Sequence, residues 1–188
     1  MTANEWIAIL DLGSQYTQLI ARRIREQHVY SEIVPFNMSA DDLREREPSG
    51  IVLSGSPASV FDDNAPFYEP AILELGIPVL GICYGMQSMT QMLGGSVRPG
   101  NSREYGHALI DIVSPAPLLT GLQNKLPVWM SHGDQVETMP SDFEIMAKTE
   151  ACPVAAFANR KRNFFGVQFH PEVVHTQNGA DILRRFVF

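Results

Sequence analysis

Residues 78–87, Pro78-Val79-Leu80-Gly81-Ile82-Cys83-Tyr84-Gly85-Met86-Gln87, set a cysteine between two glycines straight after an apolar run. Residues 77–82 read as a buried strand, and Met86, Met89 and Leu93 then recur at helical spacing. Strand, glycine turn, helix is the local grammar of an α/β domain. With Gly81-Ile82-Cys83-Tyr84-Gly85 at the junction, the pattern is that of a nucleophile elbow, in which a sharp turn holds the central side chain above the sheet. A free cysteine by itself is more often a buried packing residue. The paired glycines and the helix start, whose N–H groups lower a thiol pKa, favour a presented nucleophile instead.

Outward from this stretch the grammar repeats. Residues 6–12 (WIAILDL) read as a buried strand, Gly13-Ser14 as a turn, and residues 15–26 as a helix with Tyr16, Leu19, Ile20 and Ile24 on one face. Residues 31–34 form a short strand, and Ser39 caps a helix with Asp42 as its capping-box partner. Residues 50–53 (GIVL) are another strand, ended by Ser54-Gly55-Ser56-Pro57, and a helix is expected over 66–75. Short continuous apolar strands separated by helices predict a mostly parallel sheet with helices on both faces. The second half reads differently: residues 108–113, 127–130, 144–147, 155–158 and 164–169 are strand-like with little helix between them. They predict an antiparallel extension with at least one return to the main sheet. A last helix over 179–188 buries Ile182, Leu183, Phe186 and Val187. No repeat or linker interrupts the chain, so residues 1–188 read as one α/β domain. The sequence stops inside that last apolar run, which reads as a chain cut short.

Composition narrows the function classes. The 188 residues are 45% hydrophobic and carry a net charge of −7. An acidic surface repels phosphate backbones and anionic lipid, so neither nucleic acid nor membrane is an expected partner. No segment approaches the roughly 20 apolar residues of a membrane span, and the N-terminus lacks the pattern of a signal peptide. Two cysteines, Cys83 and Cys152, are too few for a disulfide scaffold, which points to a cytoplasmic setting with free thiols. No Cys/His cluster has metal spacing, so no metal is expected.

A cysteine nucleophile needs a base and a group that orients the base. Of the five histidines, two are candidates. His132 lies in Ser131-His132-Gly133-Asp134, read as a polar loop after an apolar strand. His170 stands at the end of the strand 164–169, where Pro171 forces the chain out and Glu172 can fold back on the ring. A strand-end histidine is commonly structural; facing a cysteine elbow, His170 with Glu172 is the better candidate. The backbone N–H of Tyr84 is the natural first donor to a tetrahedral oxyanion. A second donor is expected from the Ser54–Pro57 loop, at the strand edge where ligands of open α/β sheets gather.

GICYGMQ, SGSP after GIVL, and GVQFHPE together resemble the class I (triad) glutamine amidotransferases, a flavodoxin-like family, over essentially the whole chain. Within them DLGSQYTQLIARR and WMSHGDQV resemble the amidotransferase domain of the GMP synthetases. The resemblance implies that Cys83 attacks the side-chain amide of L-glutamine, that a glutamyl thioester forms and ammonia leaves, and that His170, backed by Glu172, moves the protons. It implies that Gln87, Gly55 and the segment Ser131, His132, Gly133 and Asp134 hold the substrate. The family usually has glycine where Ser56 stands, as an oxyanion donor; serine adopts a positive φ only with strain. The ammonia would aminate XMP to GMP in a synthetase (ATP-pyrophosphatase) domain, the partner that binds ATP and magnesium. That domain and the dimerisation domain are absent from this sequence, which favours a truncated chain over a separate amidotransferase subunit. No cofactor is implied within it, and weak, poorly controlled glutaminase activity is expected of the isolated domain. The rival readings are an amidotransferase for another acceptor, of the anthranilate or CTP type, a Cys–His hydrolase, and a non-catalytic glutamine-binding regulatory module.

Overall fold

The computed structural model describes residues 5–188, with backbone alone for 101–103. In chain order the strands are β1 (Trp6–Asp11), β2 (Tyr30–Pro35), β3 (Gly50–Leu53), β4 (Val79–Ile82), β5 (Ser96–Ile112), β6 (Lys125–Thr138), β7 (Glu144–Lys148), β8 (Ala156–Asn159) and β9 (Phe164–Val167). The helices are α1 (Thr17–Arg25), α2 (Ala40–Arg46), α3 (Tyr84–Met92), α4 (Ala116–Leu119) and α5 (Gly179–Val187). The strands form one sheet in the order β2-β1-β3-β4-β9-β8-β7-β5-β6. Pairs from β2 to β9 are parallel, and pairs from β9 to β6 are antiparallel. The parallel half, the antiparallel extension and the return of β9 beside β4 match the sequence reading.

Side-chain alternation along β1 explains the layers. Ile7 and Ile9 face a core with Ile20 and Ile24 of α1 and with Ile182, Leu183 and Phe186 of α5. Ala8 and Leu10 face a second core with Leu43 of α2 and with Met86 and Met89 of α3. Both faces of the parallel half are therefore covered, and each fully buried large side chain contributes on the order of 2 kcal/mol. Ser39 caps α2 by accepting from the Asp42 N–H at 3.1 Å, as its spacing predicts. Val187, expected inside, is only half-buried at the helix end.

Three segments depart from expectation. The helix over 66–75 is only a 3₁₀ turn, Pro70–Glu74. Pro66 and Pro70 withhold backbone donors there, and the Glu69 carboxylate instead accepts from the Ala40 N–H at 2.7 Å. The strands expected at 108–113 and 127–130 belong to a far longer ribbon, β5 with β6. Their register is continuous from Asp111 opposite Lys125 to Glu104 opposite His132, and shifts before Pro99 opposite Asp134. Ser131 to Asp134 are accordingly strand, not loop. The inward alternation of Leu126, Val128 and Met130 simply continues through buried His132.

Candidate active site

The cleft forms where β1, β3, β4 and β9 present their carboxyl ends, the edge at which open α/β sheets bind ligands. Ser54 ties two of these ends together: its Oγ accepts from Leu12 N–H at 2.9 Å and donates to the Gly55 carbonyl at 3.0 Å. Cys83 sits between β4 and α3 with φ 53° and ψ −107°. A positive φ on a non-glycine residue is strained, and here it lies on the cysteine itself. The flanking glycines serve close approach: a Cβ on Gly85 would stand 2.3 Å from the Leu53 carbonyl oxygen, and one on Gly81 2.6 Å from Met86 N. Cys83 N–H donates to the Val167 carbonyl at 2.8 Å, locking the elbow to β9. The thiol is less open than the elbow pattern suggests. Cys83 is 5% exposed, on the cleft wall, because the β6 ribbon closes over it; Sγ lies 3.6 Å from the Ser131 carbonyl.

Beyond β9 the chain delivers His170, whose N–H donates to the Trp129 carbonyl at 3.0 Å and whose carbonyl accepts from Thr176 Oγ1 at 2.6 Å. Its Nδ1 pairs with Glu172 Oε1 at 2.7 Å, and Tyr16 sets a ring edge against the imidazole at a centroid distance of 5.4 Å. Burial opposes a charged imidazolium. The Glu172 carboxylate and the Cys83 sulfur outweigh burial and hold His170 well above the ordinary histidine range. Cysteine, histidine and glutamate are therefore brought together as the sequence predicts, in an arrangement suited to a thiolate–imidazolium pair.

His132, the other candidate base, is committed elsewhere. Its Nδ1 is 3.0 Å from the Asp134 carbonyl and its Nε2 3.1 Å from Glu104 Oε2, and burial pushes its pKa down. Glu104, His132 and Cys152 place potential ligand atoms within 4.8 Å of one another. Both histidine nitrogens are engaged, the Cys152 thiol donates to the Val154 carbonyl at 3.4 Å, and burial pushes that thiol up to about 12. The cluster has the bonding of a polar core. His107 and His175 pack on Trp129, and His28 is exposed.

The cleft has a volume of about 490 Å³, ample for an amino acid. Tyr84, Ser56, Gln87, Ser131, Gly133 and Asp134 all line it, with Cys83, His132 and His170. Gly55 lies just behind: a Cβ there would come within 3.3 Å of His170 Cε1 and 3.7 Å of Cys83 Cβ. Tyr84 is the first residue of α3, so its N–H has no intrahelical partner. Ser56 is not among the residues with positive φ, so the strain feared for a serine there does not arise; its Oγ accepts from Ala58 N–H at 3.2 Å. Gln87 is almost fully buried, and its Nε2 donates to the Asp134 carbonyl at 2.7 Å and to Gln168 Oε1 at 3.1 Å, leaving Oε1 to accept from a ligand. Asp134 Oδ2 accepts from Ser59 Oγ at 2.5 Å.

The sequence reading missed Ser14, Tyr16, Ser59, Tyr105 and Gln168. Ser14 and Tyr16 carry a usable signal, because they follow β1 at the same sheet edge as the SGSP loop. Tyr105 and Ser59 reach the cleft only through the fold.

A family model described as glutamine amidotransferase class-I matches residues 8–188. The chain belongs to the class I glutamine amidotransferases. This amidotransferase is 55% identical, over 98% of its length, to the glutamine-hydrolysing GMP synthase of Caldanaerobacter subterraneus, and 54% identical over 98% to that of a Synechococcus. It spans only 36% and 35% of those relatives. A crystal structure from Thermoplasma acidophilum, provisionally described as one subunit of a GMP synthase, is 31% identical with a TM-score of 0.87 and covers 100% of this chain and 94% of that one. A glutamine amidotransferase from Thermotoga maritima, 24% identical with a TM-score of 0.73 over 91% of this chain and 77% of its own, shares the amidotransferase fold. Among the described residues no helix is long and apolar enough to cross a membrane.

Proposed function

We propose that the amidotransferase hydrolyses L-glutamine at Cys83 and supplies the ammonia for amination of XMP to GMP. The observation that carries the chemistry is the strained elbow that sets Cys83 against a buried His170–Glu172 pair. The acceptor rests on the likeness to GMP synthases. The Cys83 thiolate adds to the side-chain carbonyl carbon of glutamine, and the oxyanion is held by the Tyr84 N–H and the backbone at Ser56. As the C–N bond breaks, its electron pair stays on nitrogen, which takes the His170 proton and leaves as ammonia. Water then adds to the thioester while His170 accepts its proton; the C–S bond breaks, the pair returns to sulfur, and glutamate is released. Glu172 keeps the imidazole oriented through Nδ1 in both halves. Asp134 is suited to the substrate's α-ammonium group, and Gln87 Oε1 to a second N–H.

The chain's own residues need no metal or cofactor for these steps. ATP and magnesium belong with the synthetase portion, the partner to which ammonia would pass, in a cytoplasmic enzyme. The test is ammonia release from glutamine by the isolated chain, and GMP formation when the synthetase portion of a relative is added with XMP and ATP. Slow glutamine hydrolysis that rises on mixing, and is lost in Cys83→Ala, supports the reading. Cleavage of peptides or esters with no ammonia release would overturn the reaction; ammonia release with no GMP formation would overturn the acceptor.

A further inference from the structure

Gln168 lies between β9 and His170 with its side chain wholly buried, and the proton transfers above do not use it. A chain of hydrogen bonds fixes the orientation of its amide, beginning at an atom that can only accept. The Asp134 carbonyl takes a hydrogen bond from Gln87 Nε2 at 2.7 Å, so the Gln87 NH₂ must face that way. The same NH₂ lies 3.1 Å from Gln168 Oε1. The NH₂ of Gln168 is thereby turned to the nucleophile, with Nε2 3.6 Å from Cys83 Sγ. Reversing the Gln168 amide would put two NH₂ groups face to face and aim a carbonyl at the sulfur.

The sulfur therefore has polar neighbours of opposite preference. The Ser131 carbonyl at 3.6 Å can only accept, so it suits the thiol and opposes the thiolate. The Gln168 amide can only donate towards sulfur, so it suits the thiolate, as the His170 imidazolium does. We propose that Gln168 is a further catalytic residue, a neutral donor that fixes the Cys83 sulfur and favours its thiolate form. The contact is strongest when sulfur carries charge, before attack and again as the thioester C–S bond breaks, because a thioester sulfur is a poorer acceptor. The link through Gln87 ends on the Asp134 backbone carbonyl, so it does not depend on the Asp134 carboxylate.

The place of this contact in a reaction rests on the glutamine-hydrolysis reading, but its control of Cys83 reactivity does not. The test is the rate at which iodoacetamide, a small neutral electrophile, alkylates Cys83 across the titration range of a thiol, read by mass spectrometry of the Cys83 peptide. Wild type is compared with Gln168→Met, which keeps the bulk without the donor, and with Gln168→Glu, which keeps the shape and adds charge. The midpoint rises by about one pH unit in Gln168→Met, so alkylation at pH values below the wild-type midpoint is about tenfold slower, and it rises further in Gln168→Glu. A thermal melt shows which variants are folded, and one folded variant suffices. A folded variant with the wild-type midpoint and rate would overturn the proposal. Altered alkylation in a protein that releases no ammonia from glutamine would keep the Gln168 contact and overturn glutamine hydrolysis.

Discussion

From β2 across to β9 neighbouring strands run parallel, and the short strands β3, β4 and β9 are buried along their whole length. The outer pair β5–β6 is a long antiparallel ribbon that leaves one face open, with Tyr105 62% exposed beside the cleft. The two regions meet over the sulfur of Cys83. Each triad residue leaves the end of a strand held between two helical layers: Cys83 after β4, and His170 and Glu172 after β9. The ribbon brings Ser131 to Asp134 as a wall. On the proposed function, bond-making falls to the closely packed parallel half, where a small displacement is costly. The ribbon holds the substrate through Asp134, while Gln87 of α3 adds a contact from the parallel half.

That division predicts different kinetic signatures in the two regions. The largest effect is in the parallel half: His170→Ala lowers kcat for glutamine hydrolysis by about 10³-fold or more with a small change in KM, checked by steady-state ammonia release. Glu172→Gln comes next, with a loss of about 10²-fold, and its pH profile carries the sign. Burial lowers the His170 pKa, while Glu172 and Cys83 raise it further, so the net shift is upward. The imidazolium that protonates the leaving nitrogen thus persists above the ordinary value of about 6.5. Without the Glu172 charge the His170 pKa falls, and the alkaline limb of kcat moves to lower pH. A limb that stays in place would break the assignment of Glu172 as the group that holds the charge.

On the ribbon, Asp134→Ala raises KM for glutamine about tenfold and leaves kcat nearly unchanged, the size of one hydrogen bond to a charged group. A fall in kcat with constant KM would merge the two regions into one function. The smallest effect is Cys152→Ala, at the far side of His132. Turnover is unchanged and stability falls by about 1 kcal/mol, read from a denaturant melt.

The same contrast decides what the sequence reveals. WIAILD, GIVL, VLGI and FFGV are short apolar runs bounded by glycine, proline or polar turns, and burial on both faces writes them as unbroken hydrophobic stretches. The elbow and the His-Pro-Glu end are legible because the chemistry needs particular residue types beside those strands. The ribbon obscures itself: β5 contains Pro99, Gly100 and Gly106, residues that argue against a strand, and its ladder is made by pairing with β6. Polar Ser131 to Asp134 look like a loop until the alternation of Leu126, Val128 and Met130 is carried forward. The glycines beside Cys83 predict the bend there, yet the positive φ falls on the cysteine and the glycines serve packing. Gln168 has no signal in composition or spacing, because its role depends on which way an amide faces in three dimensions.

The central claim is that Cys83, and not the buried Cys152, is the nucleophile for glutamine. Incubation with diazo-oxo-norleucine, a glutamine-mimicking electrophile, followed by peptide mass spectrometry tests it most directly. The account predicts one adduct per chain, on Cys83, with loss of ammonia release in step with labelling and protection by glutamine. An adduct on Cys152, or full labelling of Cys83 with glutamine hydrolysis intact, would contradict it.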